Sequence, residues 1–272
     1  MTRITEQSSK HRHLEKKTVE EITGLINAED KTVAFAVEKA MPQLNRLIGE
    51  VVSKLKNGGR LFYLGAGSGG RLSVLDAIEM PTTYGVSKDL VKPILAGGLD
   101  HLIEALEEKE DNFEAGWEML REENVTEKDI VIGISASGTT PFVLGALKQC
   151  KLNKVTTGCI VSNPGSVIAE NADFPVEVIT GPEFISGSTR MKCGTAQKMI
   201  FDMISTTTMI QLGKVEDNKM VNVALINDKI IDRAVKILME RAVINDYDRA
   251  KSILLKWGSV KNAIENLGKE KK

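Results

Sequence analysis

Two segments rich in glycine and hydroxyl residues carry the chemistry most easily read from this chain. The first, Gly65-Ala66-Gly67-Ser68-Gly69-Gly70-Arg71, places glycines where a backbone could come close to a ligand. It also opens a helix, whose free N–H groups can meet an anion. Gly65, Gly67 and Gly70 fit a dinucleotide-type G-x-G-x-x-G spacing. The acidic residue such a site needs about 20 residues later is absent, because Gly97-Gly98-Leu99 follow the next apolar run. The second segment, Ser135-Ala136-Ser137-Gly138-Thr139-Thr140-Pro141, sets four hydroxyls before a helix start, with Thr140 as N-cap and Pro141 at the first helical position. An uncharged cradle of this kind suits a phosphate monoester. An ordinary strand-to-helix turn uses the same residue types, but two such loops in one chain favour the ligand.

The rest of the inventory narrows the reaction. His11, His13 and His101 are the only histidines, and Cys150, Cys159 and Cys193 the only cysteines. No pair of them has metal-site spacing, so no metal is expected, and His11-x-His13 reads as a solvated tail. Acid–base work therefore falls to carboxylates. An odd number of cysteines suits a reducing, cytoplasmic compartment. Lys plus Arg is 36 against 37 for Asp plus Glu, a formal charge of -1. A nucleic-acid binder would need a basic surplus. Apolar runs such as 130–134 fall far short of the roughly 20 residues of a membrane span, and the polar opening predicts no signal peptide.

These loops need a frame to hold them. With 272 residues, 42% of them hydrophobic and 27% charged, the chain can bury a large core. Thr18-Val19-Glu20-Glu21 has capping-box form and predicts a helix to about residue 28, with Asp30 capping a second that Pro42 should kink or restart. Short apolar runs at 60–64, 91–96, 129–134, 155–161 and 174–179 read as strands. Helical stretches at about 70–80, 99–121, 141–151 and 164–171 separate them, which predicts parallel βαβ units. Glu104, Glu107, Glu108, Glu110 and Glu114 read as a charged helix face. After about 188 the strands stop; a long helix runs to Leu212, and 228–241, 246–256 and 259–267 read as a helical tail ending in a frayed Lys269–Lys272. The expected organisation is a helical segment over 1–56, an α/β ligand-binding domain over 57–213 and a helical subdomain over 214–272.

With the elements in this order, the Ser-x-Ser-Gly-x-Thr pattern at 135–140 resembles the phosphosugar loop of sugar-isomerase (SIS) domains. More narrowly, nearly the whole chain resembles the N-acetylmuramic acid 6-phosphate etherases of bacterial cell-wall recycling. The resemblance rests on Arg60-Leu61-Phe62-Tyr63-Leu64-Gly65-Ala66-Gly67, Leu75-Asp76-Ala77 with Glu79, Tyr84-Gly85, Ala96-Gly97-Gly98 and Glu110-Asp111. Its most specific part is Gly181-Pro182-Glu183-Phe184-Ile185-Ser186-Gly187-Ser188-Thr189-Arg190-Met191-Lys192 with Gly194-Thr195-Ala196-Gln197-Lys198. The chain departs from the family pattern at Gly69, where the family carries serine, at Met80 and Thr82, and at Thr139, where it carries arginine.

The resemblance implies a three-layer α/β fold, a parallel sheet of about five strands flanked by helices, and a small C-terminal helical subdomain. It implies Glu79 as the acid and Glu110 as the base of a lyase that releases D-lactate from the phosphosugar with no cofactor. Ser68, Gly69, Ser135, Ser137, Gly138, Thr139 and Thr140 would bind the phosphate, with Ser188 and Lys192 near the sugar. A homodimer is implied too, and the apolar stretch 199–212 offers it a surface. Two other readings stay open: a sugar-phosphate isomerase, which the generic 135–140 loop allows, and a non-catalytic phosphosugar sensor.

Overall fold

The computed structural model describes residues 3–103 and 107–270. Packing resolves two compact units, one of Met1–Ala77 with Asp89–Ile204 and another of Ile78–Lys88 with Ser205–Lys272.

Helices α1 (Val19–Asp30) and α2 (Val33–Lys56) of the first unit lead into strand β1 (Leu61–Gly65) and helix α3 (Gly67–Tyr84), whose last turns, like those of the helix that starts at Lys192, count with the second unit. Then come β2 (Val91–Leu95), α4 (Ala115–Glu122), β3 (Ile130–Ser135), α5 (Pro141–Leu152), β4 (Thr156–Val161), α6 (Val167–Glu170), β5 (Phe174–Glu177) and α7 (Lys192–Gln211). The five strands form one parallel sheet in the order β2-β1-β3-β4-β5. Every residue of β1 and β3 is buried, as expected of strands covered on both faces. Alternation along β1 shows the two layers. Phe62 and Leu64 pack with Leu120, Phe142, Ala146 and Leu147 on one side, and Tyr63 faces Phe201 of α7 at 5.2 Å on the other. The α/β fold expected from the sequence is present, and each of its five strands lies within one or two residues of the anticipated span.

The helices depart from expectation more. The capping box at Thr18 forms with both hydrogen bonds, but Asp30 ends α1 rather than capping α2, whose N-cap is Thr32. Pro42 does not restart α2. Its ring removes a single intrahelical bond, while buried Val37, Ala40, Leu44, Leu47 and Val51 press one face of the helix into the core. Residues 99–121 are not one helix. Positive φ at Gly97 and Gly98 is followed by 3-10 turns at Leu99–His101 and Glu107–Asp111. Asn112 Oδ1 then accepts from the N–H groups of Glu114 and Ala115 and starts α4 afresh. Glu104 of the charged run lies outside the described residues. His11 is no solvated tail: its ring lies tilted against Phe184 with centroids 5.0 Å apart, and its Nε2 lies 3.1 Å from Glu29 Oε1.

The second unit has its own core. Helices α8 (Asp228–Ala242), α9 (Tyr247–Trp257) and α10 (Val260–Glu270) bury Ala234, Val235, Leu238, Ala250, Leu254, Val260 and Ala263 together. Asn227 and Asp246 cap α8 and α9 by accepting from Ile230 N–H and Arg249 N–H. Strands do not stop at 188, as β6 (Val215–Glu216) and β7 (Lys219–Met220) pair as a small antiparallel hairpin. Two-residue strands are too short for any periodicity to announce them. The apolar stretch of α7 is largely covered within the chain, with Ile200, Phe201, Ile204 and Met209 fully buried.

Candidate active site

The strand order places a topological switch between β1 and β3. Chain leaving β1 turns toward β2, and chain leaving β3 toward β4, so the loops beyond these two strands part and leave a crevice. Both loops singled out in the sequence end at this crevice. A cavity of about 180 Å³ opens there, lined by Ala66, Gly67, Ser68 and Gly69 after β1 and by Ile134, Ser135, Ala136, Ser137 and Thr140 at the end of β3. Glu6, Glu110, Gly187, Thr189 and Gln197 complete its wall.

The hydroxyls of the 135–140 loop bond to one another. Ser135 Oγ lies 2.8 Å from Thr140 Oγ1 and 3.2 Å from Ser137 Oγ, and it accepts from Gly138 N–H at 3.1 Å. Thr139 donates to Ser137 Oγ through its hydroxyl at 3.2 Å and its N–H at 3.3 Å. Thr140 is the N-cap with Pro141 next, yet its hydroxyl caps nothing in α5 and turns to Ser135 instead. Hydroxyls held this way can reorient toward an anion without moving the backbone. Gly138 and Thr139 support Ser135 and Ser137 from behind and do not line the cavity.

The first loop brings backbone and carboxylate together. Gly67 opens α3 at φ +54, a backbone conformation that favours glycine, and a Cβ there would sit 2.9 Å from Glu110 Oε1 and push that carboxylate aside. A Cβ at Gly69 would meet Ile134 Cγ2 at 2.8 Å and Gln197 Oε1 at 2.9 Å. Glu110 is half-buried at the cavity, and Glu79 belongs to the second unit, where it is exposed on α3.

Ser188 and Lys192 lie outside the cavity lining. Lys192 is 1% exposed, and its ammonium donates to Glu29 Oε2 at 2.7 Å. Burial works to raise the Glu29 carboxyl, but hydrogen bonds from Lys192 and His11 outweigh it and hold the group below the usual carboxylate range. Glu183 accepts from the Lys192 and Cys193 N–H groups, an anion on the start of α7. Sequence reasoning missed Glu6, Gly187, Thr189 and Gln197. The last three stand within the 181–198 signature, and the signal that could have found them was there.

Size alone does not select the site. A larger cavity, about 660 Å³, lies in the second unit among Arg241, Val243, Asp246, Arg249 and Leu267. Its carboxylate, Asp246, is engaged in capping α9, and Arg241 is paired with Glu216. Burial pushes the thiols of Cys150, Cys159 and Cys193 up to about 12, which leaves them poor nucleophiles. Among the described residues no helix is long and apolar enough to cross a membrane, and no group of three or more His, Cys, Asp or Glu could hold a metal ion.

Comparison with known proteins agrees with this geometry. The model of the SIS domain matches residues 101–207, and that of the glucokinase regulatory protein N-terminal SIS domain matches residues 43–151. Phosphoheptose isomerase GmhA from Neisseria gonorrhoeae superposes with a TM-score of 0.53 at 17% identity, over 70% of this chain and 98% of that one, a likeness of fold alone. N-acetylmuramic acid 6-phosphate etherase from Bacteroides fragilis is 51% identical over 97% of this chain and 93% of its own length. The Porphyromonas gingivalis enzyme of the same name is 50% identical over 97% and 96%. Identity at that level along essentially the whole length makes the chain a member of the N-acetylmuramic acid 6-phosphate etherase family, built on a SIS domain.

Proposed function

We propose that the protein is a cytoplasmic carbon–oxygen lyase that cleaves the D-lactyl ether of N-acetylmuramic acid 6-phosphate, giving N-acetylglucosamine 6-phosphate and D-lactate. The observation that carries this reading is one cavity at the switch point holding both a hydroxyl cradle and the carboxylate of Glu110. The near-full-length etherase relatives support it. In the ring-opened aldehyde the carbonyl acidifies the C2 proton, and lactate sits β to that carbonyl at C3. Glu110 removes the C2 proton, the electron pair forms the C2–C3 double bond, and the C3–O bond breaks. Glu79 protonates the departing alkoxide; water then adds at C3 and C2 is reprotonated. The phosphate rests between the 66–69 and 135–140 loops, on α-helix starts and hydroxyls that favour an anion.

The active form in this reading is a homodimer. Leu75, Ile78 and Glu79 follow at i, i+3 and i+4 on α3, and the two apolar members are 43% and 58% exposed. Such a face calls for a covering partner, which would enclose Glu79. Incubation with N-acetylmuramic acid 6-phosphate and assay for D-lactate tests the reading. Aldose–ketose interconversion of a sugar phosphate without lactate release would hand it to the isomerase alternative.

A further inference from the structure

Two polar side chains of the cavity wall have no part in the phosphate cradle or the proton transfers. Gln197 on α7 is 2% exposed and lines the cavity. A carboxamide in a cavity wall can hydrogen-bond to whatever the cavity holds. Glu6 stands on the 3-10 turn Ile4–Glu6, far from the other lining residues in sequence. It is held there by a specific latch. Asn163, 4% exposed just beyond β4, accepts from Ile4 N–H at 2.6 Å and Thr5 N–H at 3.3 Å. Its amide donates to Thr5 Oγ1 at 3.0 Å and to the carbonyls of Ala136 and Ser137, both at 3.1 Å. One side chain therefore ties the N-terminal turn to the phosphate loop. Thr5 is fully buried at the joint, while Glu6 beside it reaches the cavity.

A carboxylate is a poor neighbour for phosphate and a good acceptor for sugar hydroxyls; a carboxamide can donate to and accept from hydroxyl and acetamido groups. We propose that Glu6 and Gln197 are sugar-positioning residues, which bind the non-phosphate part of the ligand and orient it over Glu110. This rests on the phosphosugar reading of the site and deepens it.

The test compares two ligands by calorimetric titration of the full chain, N-acetylglucosamine 6-phosphate and inorganic phosphate. Glu6 is exposed, so Glu6→Gln should fold normally. Loss of a hydrogen bond to a charged group should weaken the sugar phosphate about tenfold or more, while inorganic phosphate binds as before or tighter. Gln197→Ala should weaken the sugar phosphate alone, by a smaller factor. Equal weakening of both ligands would mean that the two residues only support the cradle, and no change in either would mean that they touch nothing; each result overturns the proposal. If the unmutated protein binds inorganic phosphate but not the sugar phosphate, the phosphosugar reading itself fails, and the positioning role falls with it.

Discussion

The two ends of the parallel sheet are built from similar residues and put them to opposite uses. At the amino ends the polar groups are locked in fixed partnerships. Asp129 accepts from Arg60 through its N–H, Nε and Nη2, and from the N–H and hydroxyl of Thr126. Thr157 and Asp173 exchange three hydrogen bonds between β4 and β5. At the carboxyl ends, the side chains of Ser135, Ser137, Thr139 and Thr140 meet one another through hydroxyls that can turn elsewhere. The contrast teaches that polarity fixed by charge and backbone serves the fold, and polarity held by rotatable hydroxyls is left for a ligand. Each end can be attacked separately.

The largest effect is expected at the carboxyl end. Glu110→Gln should lower lactate release by about 10²–10⁴-fold, as loss of a general base does. It should also abolish exchange of the C2 proton of N-acetylglucosamine 6-phosphate with heavy water. Glu79→Gln should lose lactate release yet retain that exchange, since proton removal needs only the base. Proton NMR reads both. Normal exchange in Glu110→Gln and none in Glu79→Gln would reverse the roles.

The amino end should answer in stability instead. Asp129→Ala leaves the Arg60 guanidinium without its buried partner and should cost about 3–5 kcal/mol, read by denaturant unfolding, with the sugar-phosphate affinity of the folded fraction unchanged. Burial works to raise the Asp129 carboxyl, but hydrogen bonds from Arg60 and Thr126 hold it below the usual range. Its stabilisation is therefore complete above the unfolded value of about 4 and drains away as pH falls through the lower folded one. Asp129→Ala should flatten that acid limb of the stability curve.

How much of this could be read beforehand differs between the same two ends. The strands were legible because a five- or six-residue apolar run such as Ile130–Ile134 has few other uses in a globular chain. The two crevice loops were legible because glycine and hydroxyl clusters occur at two strand ends of one sheet, although either alone could be an ordinary turn. The 181–198 signature was recognisable, but its side-chain directions were not. Ser188 was expected at the sugar, whereas its neighbours Gly187 and Thr189 line the cavity. A motif fixes which residues are present and leaves open which way each points. Glu6 was hidden for another reason, since its place depends on Asn163, more than a hundred and fifty residues away, and on a turn without apolar periodicity. The bond from Lys192 to Glu29 was out of reach likewise, because a lysine in a site motif reads as an anion binder until its partner is seen.

A milder deletion at the carboxyl end sharpens the contrast. Ser137→Ala removes a lining hydroxyl that bonds only to its own loop. It should weaken N-acetylglucosamine 6-phosphate by about 1.5–3 kcal/mol, the range for a hydrogen bond to a charged group. Melting temperature should barely move. Unchanged affinity in a titration would remove the hydroxyl cradle from the phosphate site.

The smallest expected effect is the matched deletion at the amino end. Thr157→Val removes one hydroxyl, as Ser137→Ala does, and keeps the side chain's shape and β-branching in the middle of the sheet. Thr157 is fully buried, and its hydroxyl both donates to Asp173 Oδ2 at 2.9 Å and accepts from Asp173 N–H at 3.1 Å. Asp173 itself is exposed, so water can take over part of what is lost, and its carboxylate keeps the bond from Thr157 N–H. The cost should be about 1 kcal/mol of unfolding free energy, with no change in sugar-phosphate affinity. The two hydroxyl deletions should thus move different observables, affinity for Ser137 and stability for Thr157. If Thr157→Val weakened the ligand while leaving stability alone, the division of labour between the two ends of the sheet would be wrong, because a change at the closed end would have reached the crevice through β4 without loosening the fold.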